Sequence, residues 1–261
     1  MKRRSRLFLV GLLTLCVAHK VNAAELSYPE LLIDDVKHVV TAPARWDDAE
    51  WHKAGWASLA VVGTALVIDR PLRDEMRHHT GDNAFMTQVE RFGAQYAAGV
   101  VGGFYLVGAL TDNENSKQVA QDSIAASLIA SGIITPAIKL VTGRSRPRDE
   151  AGEYNFKPFS NGNSSFPSGH TTEAFAVAAV VANHYDETWV TCTSYSIASL
   201  VGLARTYHRA HFASDVVAGA MIGTLVGKSV VAHNAYLRSG KLVLLPELGP
   251  SLIGVRIAGR F

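Results

Sequence analysis

Residues 205–223 read RTYHRAHFASDVVAGAMIG. The first half carries Arg205, His211 and Asp215, with five and then three residues between them; the second half is apolar, with Gly219 and Gly223 four apart. Ser214-Asp215 marks the junction, because a small polar and an acidic residue ahead of an apolar run signal a helix start. The apolar run continues to about residue 232, and that length favours helix over strand. Glycines four apart let another helix approach closely. The stretch predicts a tightly packed helix with chemistry at its first turn.

The same layout recurs upstream. Pro167-Ser168-Gly169-His170 precedes an apolar run, Thr171 to Ala182. Lys139 and, after six residues, Arg146-Pro147 close another run, for which Thr142-Gly143 is the stop signal. Six apolar segments follow one another at 55–68, 92–110, 119–142, 170–184, 189–205 and 214–232. The predicted fold is therefore all-α, a six-helix bundle. In an up-and-down bundle the end of helix three, the start of helix four, the end of helix five and the start of helix six share one end. The connection 143–167 is long for an interhelix loop, which suits the rim of a pocket.

The residue types brought to that end suit a phosphoryl group, which carries about two negative charges as a monoester. Arg146 and Arg205 are guanidinium forks that match phosphate oxygens, and Lys139 adds a compact charge. Ser168 and Gly169 sit where backbone N–H groups at a helix start attract anions. These five groups form the expected phosphate-binding set. His211 is the expected nucleophile, with Asp215 holding its other ring nitrogen. His170, beside the phosphate turn, is the expected acid and base for the leaving oxygen and for water.

The three pieces K-x6-R-P, P-S-G-H and R-x5-H-x3-D resemble the signature of the type 2 phosphatidic acid phosphatase and vanadium haloperoxidase superfamily. Ala204 departs from it, standing where the family has serine before the arginine. The resemblance spans roughly residues 119 to 230. It implies a helical phosphatase fold, phosphate binding by Lys139, Arg146, Ser168, Gly169 and Arg205, and catalysis by His211, His170 and Asp215.

Composition narrows the setting. Lys2, Arg3, Arg4 and Arg6 precede an apolar stretch, Leu7 to Ala18, and Val21-Asn22-Ala23 offers a cleavage site. This pattern predicts an export signal over residues 1–23, with an uncleaved first membrane helix as the alternative. The whole chain holds 25 basic and 23 acidic residues. Residues 1–23 take five basic residues and no acidic one, so the remainder is net −3. Nucleic-acid binding has no global electrostatic support. Arg144, Arg146 and Arg148 read as a local phosphate-binding cluster. Of two cysteines, Cys16 falls in the signal, leaving Cys192 with no partner for a disulfide. His78-His79 read as a surface loop. No metal constellation stands out, and no cofactor is expected.

The remaining domains are a polar lead-in at 24–54, the helical domain at 55–235 and a tail at 236–261. In the tail, alternation at Ile253, Val255 and Ile257 after Gly249-Pro250 predicts a short β-hairpin. Trp46, Trp51 and Trp56 are either an interfacial belt or core anchors. Mean hydropathy is only +0.11, and helix one is bounded by Lys53 and Asp69. The connections near Asp112–Glu114 and Asp186–Glu187 lack the basic excess of cytoplasmic loops. These features favour a periplasmic bundle in contact with a membrane surface over an integral inner-membrane protein. The expected activity is a phosphatase for lipid-linked phosphomonoesters or diphosphates. A broad-specificity soluble acid phosphatase, a vanadium haloperoxidase and a catalytically silent envelope protein are the alternatives.

Overall fold

The computed structural model describes residues 20–21, 27–78, 83–160, 162, 164–239, 243–249 and 252–258. Ten α-helical segments occur among them: α1 (Tyr28–Val40), α2 (Asp48–Val67), α3 (Asp69–Arg77), α4 (Ala84–Glu90), α5 (Gln95–Thr111), α6 (Glu114–Ser127), α7 (Thr135–Thr142), α8 (Gly169–His184), α9 (Thr188–Tyr207) and α10 (Ala213–Arg238). A π-helical turn, Leu128–Ile134, joins α6 and α7 into one rod. All six expected apolar helices exist, but the six-helix count is corrected. The extra helices α1, α3 and α4 lack a long apolar run; α3 reads DRPLRDEMR. A search for sustained apolar stretches misses such elements.

Local chemistry sets the helix ends. Asp47 and Glu50 form a reciprocal capping box on α2. Asn83, Asn113 and Ser168 cap α4, α6 and α8 with their side chains. α7 stops at Gly143, whose φ of 55° is left-handed. That conformation costs glycine little.

One apolar core joins α1, α5, the α6–α7 rod, α8 and α10 through residues such as Val39, Val101, Ile129, Val180 and Val230. α10 lies directly on α8. A Cβ added at Gly219 would sit 2.6 Å from Ser168 O, and one at Gly227 would sit 2.7 Å from Ala176 O. Gly223, between them, faces Thr172 O in the same way. This glycine ladder lets the two backbones touch, so that α10 starts beside the first turn of α8.

The outer surface is apolar in places. Leu110 is 83% exposed, and Leu59, Leu66, Val67 and Leu106 are also exposed. Trp51 and Trp56 are exposed rather than core anchors. The rod Glu114–Thr142 and helix Ala213–Arg238 are each long and apolar enough to cross a membrane; the bent pair Ala84–Gly93 and Gln95–Thr111 makes a third span if taken as one. Capping turns and the π turn extend these helices beyond their apolar runs.

The described residues within 1–27 and 236–261 belong to a second compact unit. Within it Val243–Gly249 and Leu252–Ala258 pair antiparallel, and Lys20–Val21 pairs parallel with Ile257–Ala258. The expected export signal, Lys20 and Val21 apart, lies outside the described residues, as does His79.

Candidate active site

The segment Ser164-Ser165 gathers the site. Lys139, in the last turn of α7, donates to the Ser164 carbonyl. Arg146 NH2 donates to Ser164 Oγ at 3.2 Å. His211 Nδ1 lies 2.7 Å from the Ser165 carbonyl. Ser165 Oγ donates to Asp215 Oδ2 at 2.5 Å. Two adjacent serines thus hold one cation of the first motif, the arginine after it, and the histidine and carboxylate of the third. Gly169 completes the convergence, since a Cβ there would be 4.0 Å from Lys139 Cε.

The histidine geometry assigns its tautomer. A carbonyl only accepts, so Nδ1 carries the hydrogen and Nε2 keeps its lone pair. The expected direct grip of Asp215 on His211 is corrected: their nearest atoms are 3.6 Å apart, beyond a hydrogen bond. Asp215 acts instead through Ser165, as a nearby negative charge, and through the Phe212 N–H, which it accepts at 2.8 Å. Burial drives the His211 pKa down to about 4, against the pull of Asp215. The ring is therefore neutral near pH 7, which the expected role of nucleophile requires.

Arg144 departs from the expected phosphate-binding cluster. It does not face a ligand; its side chain is 2% exposed and committed inside the protein. NH1 donates to Asp215 Oδ1 at 2.6 Å and to Ser214 Oγ at 2.7 Å. NH2 donates to Asp69 Oδ2 at 2.8 Å and, with Nε, to the Glu153 carbonyl. The Phe212 ring lies 4.2 Å from the guanidinium carbon. Asp69 in turn accepts from the Ser214 N–H at 2.8 Å. One fork therefore binds the start of α3 to the start of α10. Asp69 reads in the sequence only as a helix boundary, and its partner lies 75 residues away.

Ser168 has its hydroxyl engaged. Its Oγ lies 2.8 Å from Thr171 Oγ1, and its N–H donates to the Asp215 carbonyl at 3.0 Å. The donors left for an anion at this helix start are the backbone N–H groups of Gly169 and His170. His170 is half-buried, and its pKa falls to about 4 through burial and then through Arg205 and its fellow cations. Arg205 NH1 donates to Glu90 Oε2 at 2.6 Å. The Arg205 carbonyl accepts the N–H groups of Ala210 and His211, so the third motif is folded onto itself. The long loop is pinned beside the site: Arg148 N–H donates to the Arg209 carbonyl at 3.1 Å, and Arg73 pairs with Glu153 at 2.5 Å. Glu90 and Ser165 carry no sequence signal of their own. Among the described residues, no group of three or more His, Cys, Asp or Glu side chains is placed to hold a metal.

A helical bundle with two histidines, a buried carboxylate and clustered cations is the layout that the sequence resemblance implies, and comparison with known families agrees. Residues 123–238 match the PAP2 superfamily. Over 130 residues the chain is 33% identical to the lipid A 1-phosphatase of Rhizobium johnstonii, covering 47% of this chain and 50% of that protein. Over 83 residues it is 40% identical to the lipid A 1-phosphatase of Porphyromonas gingivalis, covering 30% of this chain and 19% of that one. The chain thus spans half or less of the length of these curated relatives. The crystal structure of Aquifex aeolicus LpxE aligns with a TM-score of 0.49 and 22% identity, over 64% of this chain and 96% of that chain.

Proposed function

We propose that this protein is a metal-independent phosphatase that hydrolyses a lipid-linked phosphomonoester or diphosphate through a phosphohistidine at His211. The observation that carries the reading is the Ser164-Ser165 hub. It holds Lys139, Arg146 and His211 together while fixing the His211 hydrogen on Nδ1. In the reaction His211 Nε2 attacks phosphorus and the bond to the leaving oxygen breaks. Protonated His170 gives that oxygen its proton. Lys139, Arg146, Arg205 and the N–H groups of Gly169 and His170 stabilise the equatorial oxygens. Water then attacks the phosphohistidine, His170 takes the proton, and phosphate leaves with His211 restored. Burial, then Arg205 and the other cations, lower the His170 pKa; the charges of a bound phosphate offset those cations and favour its protonation.

The lipid A 1-phosphatase relatives support a lipid-linked substrate. The exposed apolar faces of α2 and α5, with two to three helices long enough to span, support membrane association over a freely soluble bundle. We place the site on the outer, periplasmic side, in keeping with the export signal expected at residues 1–23. The test is phosphate release from a panel of phosphorylated lipid A, phosphatidate, an isoprenyl diphosphate and a soluble aryl phosphate, with and without chelator. Turnover of a lipid substrate that survives EDTA is expected. Activity lost in EDTA and restored by magnesium refutes the mechanism.

A further inference from the structure

Glu90 belongs to no piece of the motif, yet it touches the site. It ends α4, and the 3-10 turn Arg91–Gly93 follows. That turn is wedged between two parts of the site. A Cβ at Gly93 would lie 2.6 Å from His170 O and 2.9 Å from Val201 Cγ1, one turn before Arg205. Nothing larger than glycine fits there without shifting His170. Glu90 is therefore placed by the same backbone contact that abuts the expected acid.

Its carboxylate makes two bonds through one oxygen. Oε2 accepts from Arg205 NH1 at 2.6 Å and lies 2.8 Å from His208 Nδ1. Arg205 is nearly buried, and its Nε is enclosed without a partner. A buried N–H donor left unmade is costly, so its orphaned state points to an acceptor that arrives with the ligand. Arg205 also shares its surroundings with Lys139 and Arg146, and like charges repel unless a counter-charge intervenes.

Resting on the phosphatase reading above, we propose that Glu90 is a positioning residue for Arg205: it holds NH1 so that the Nε edge of the guanidinium meets the phosphate already oriented, and His208 fixes Glu90 in turn. Glu90 touches no reacting atom. It acts through the geometry of Arg205 and through the negative charge it sets beside three cations.

The test combines binding and turnover. Orthovanadate affinity and aryl phosphate kinetics are measured for wild type, Glu90→Gln, Glu90→Asp, Arg205→Ala and the double variant Glu90→Gln/Arg205→Ala. Loss of one charge-assisted bond predicts roughly a 10–100-fold weaker vanadate Kd and lower kcat/KM for Glu90→Gln. In the Arg205→Ala background the same change should cost nothing further. Glu90→Asp, which keeps the charge, should lose less than Glu90→Gln. Wild-type vanadate affinity in Glu90→Gln overturns the assignment, as do losses that add fully in the double variant. If wild type binds vanadate but releases no phosphate from any substrate, the phosphatase reading fails, while a weakened Kd in Glu90→Gln still upholds the Glu90–Arg205 coupling.

Discussion

Replacing Arg144 separates an internal clamp from a phosphate ligand. The guanidinium neutralises Asp69 and Asp215, whose side chains are both 0% exposed. Arg144→Met leaves two buried carboxylates without their cation. Breaking one buried pair by removing a partner costs about 3–5 kcal/mol, so the upper end, about 5 kcal/mol, is the expectation here. For a chain of this size that corresponds to a fall in Tm of roughly 10–20 °C. Arg144→Lys is the gentler probe. A single ammonium cannot reach Asp69 and Asp215 from opposite sides of a fork, so one carboxylate loses a charge-assisted bond. That loss of about 1.5–3 kcal/mol should misplace Asp215 and lower kcat by roughly 10–100-fold. KM and vanadate inhibition should stay near wild type, because Arg144 is committed to carboxylates and carbonyls of its own chain. The assays are thermal unfolding and steady-state phosphate release on the purified protein. A variant with wild-type Tm and kcat but a tenfold higher KM and vanadate inhibition constant would refute the clamp and put Arg144 on the ligand.

Other outcomes follow from the same geometry. Gly219→Val should cost at least about 1–3 kcal/mol by overpacking and lower kcat, since the new Cβ would meet Ser168 O; Gly102→Ala, with open space around it, should be neutral or slightly stabilising in the same melts. His211→Ala should abolish phosphoenzyme trapping for every substrate. His170→Ala should lose about 10²–10⁴ in rate on alkyl phosphates and less on aryl phosphates with acidic phenols, and an equal loss on both classes would remove its role as an acid. Because the folded pKa of His211 is lowered from 6.5 to about 4, the unfolded chain binds more protons in that window. Stability should therefore be full above about pH 6.5 and fall towards pH 4, by roughly 3 kcal/mol from this residue; a flat melting profile across that range would contradict the buried neutral ring.

What the sequence shows and what it hides divide along a physical line. Lys139, Arg146, His170, Arg205, His211 and Asp215 are legible because each sits at a helix end with a fixed spacing to its neighbours. The helix stop at Gly143 and the close approach through Gly219 and Gly223 are legible for the same reason: a local steric need leaves a local mark. Glu90, Asp69 and Ser165 leave none, since their partners lie 115, 75 and 50 residues away and carboxylates and serines are common on any surface. Arg144 is misread because an arginine two residues from Arg146, the expected phosphate ligand, looks like part of the same patch. Only the loop path reveals that it turns inward. The π turn before α7 is equally hidden, as Leu128–Ile134 is apolar throughout. It adds a residue to the turn, and each extra residue rotates the downstream face by about 100°.

The positions of Asp69 and Glu90 bear on modularity. Both precede residue 123, where the match to the PAP2 superfamily begins. Yet one is salt-bridged to Arg144 and the other to Arg205, inside the matched segment. A graft that moved only residues 123–238 into another scaffold would leave Arg205 without its carboxylate and Arg144 with one of its two. The transplantable unit therefore begins no later than Asp69, and α3 and α4 travel with the motif as part of it.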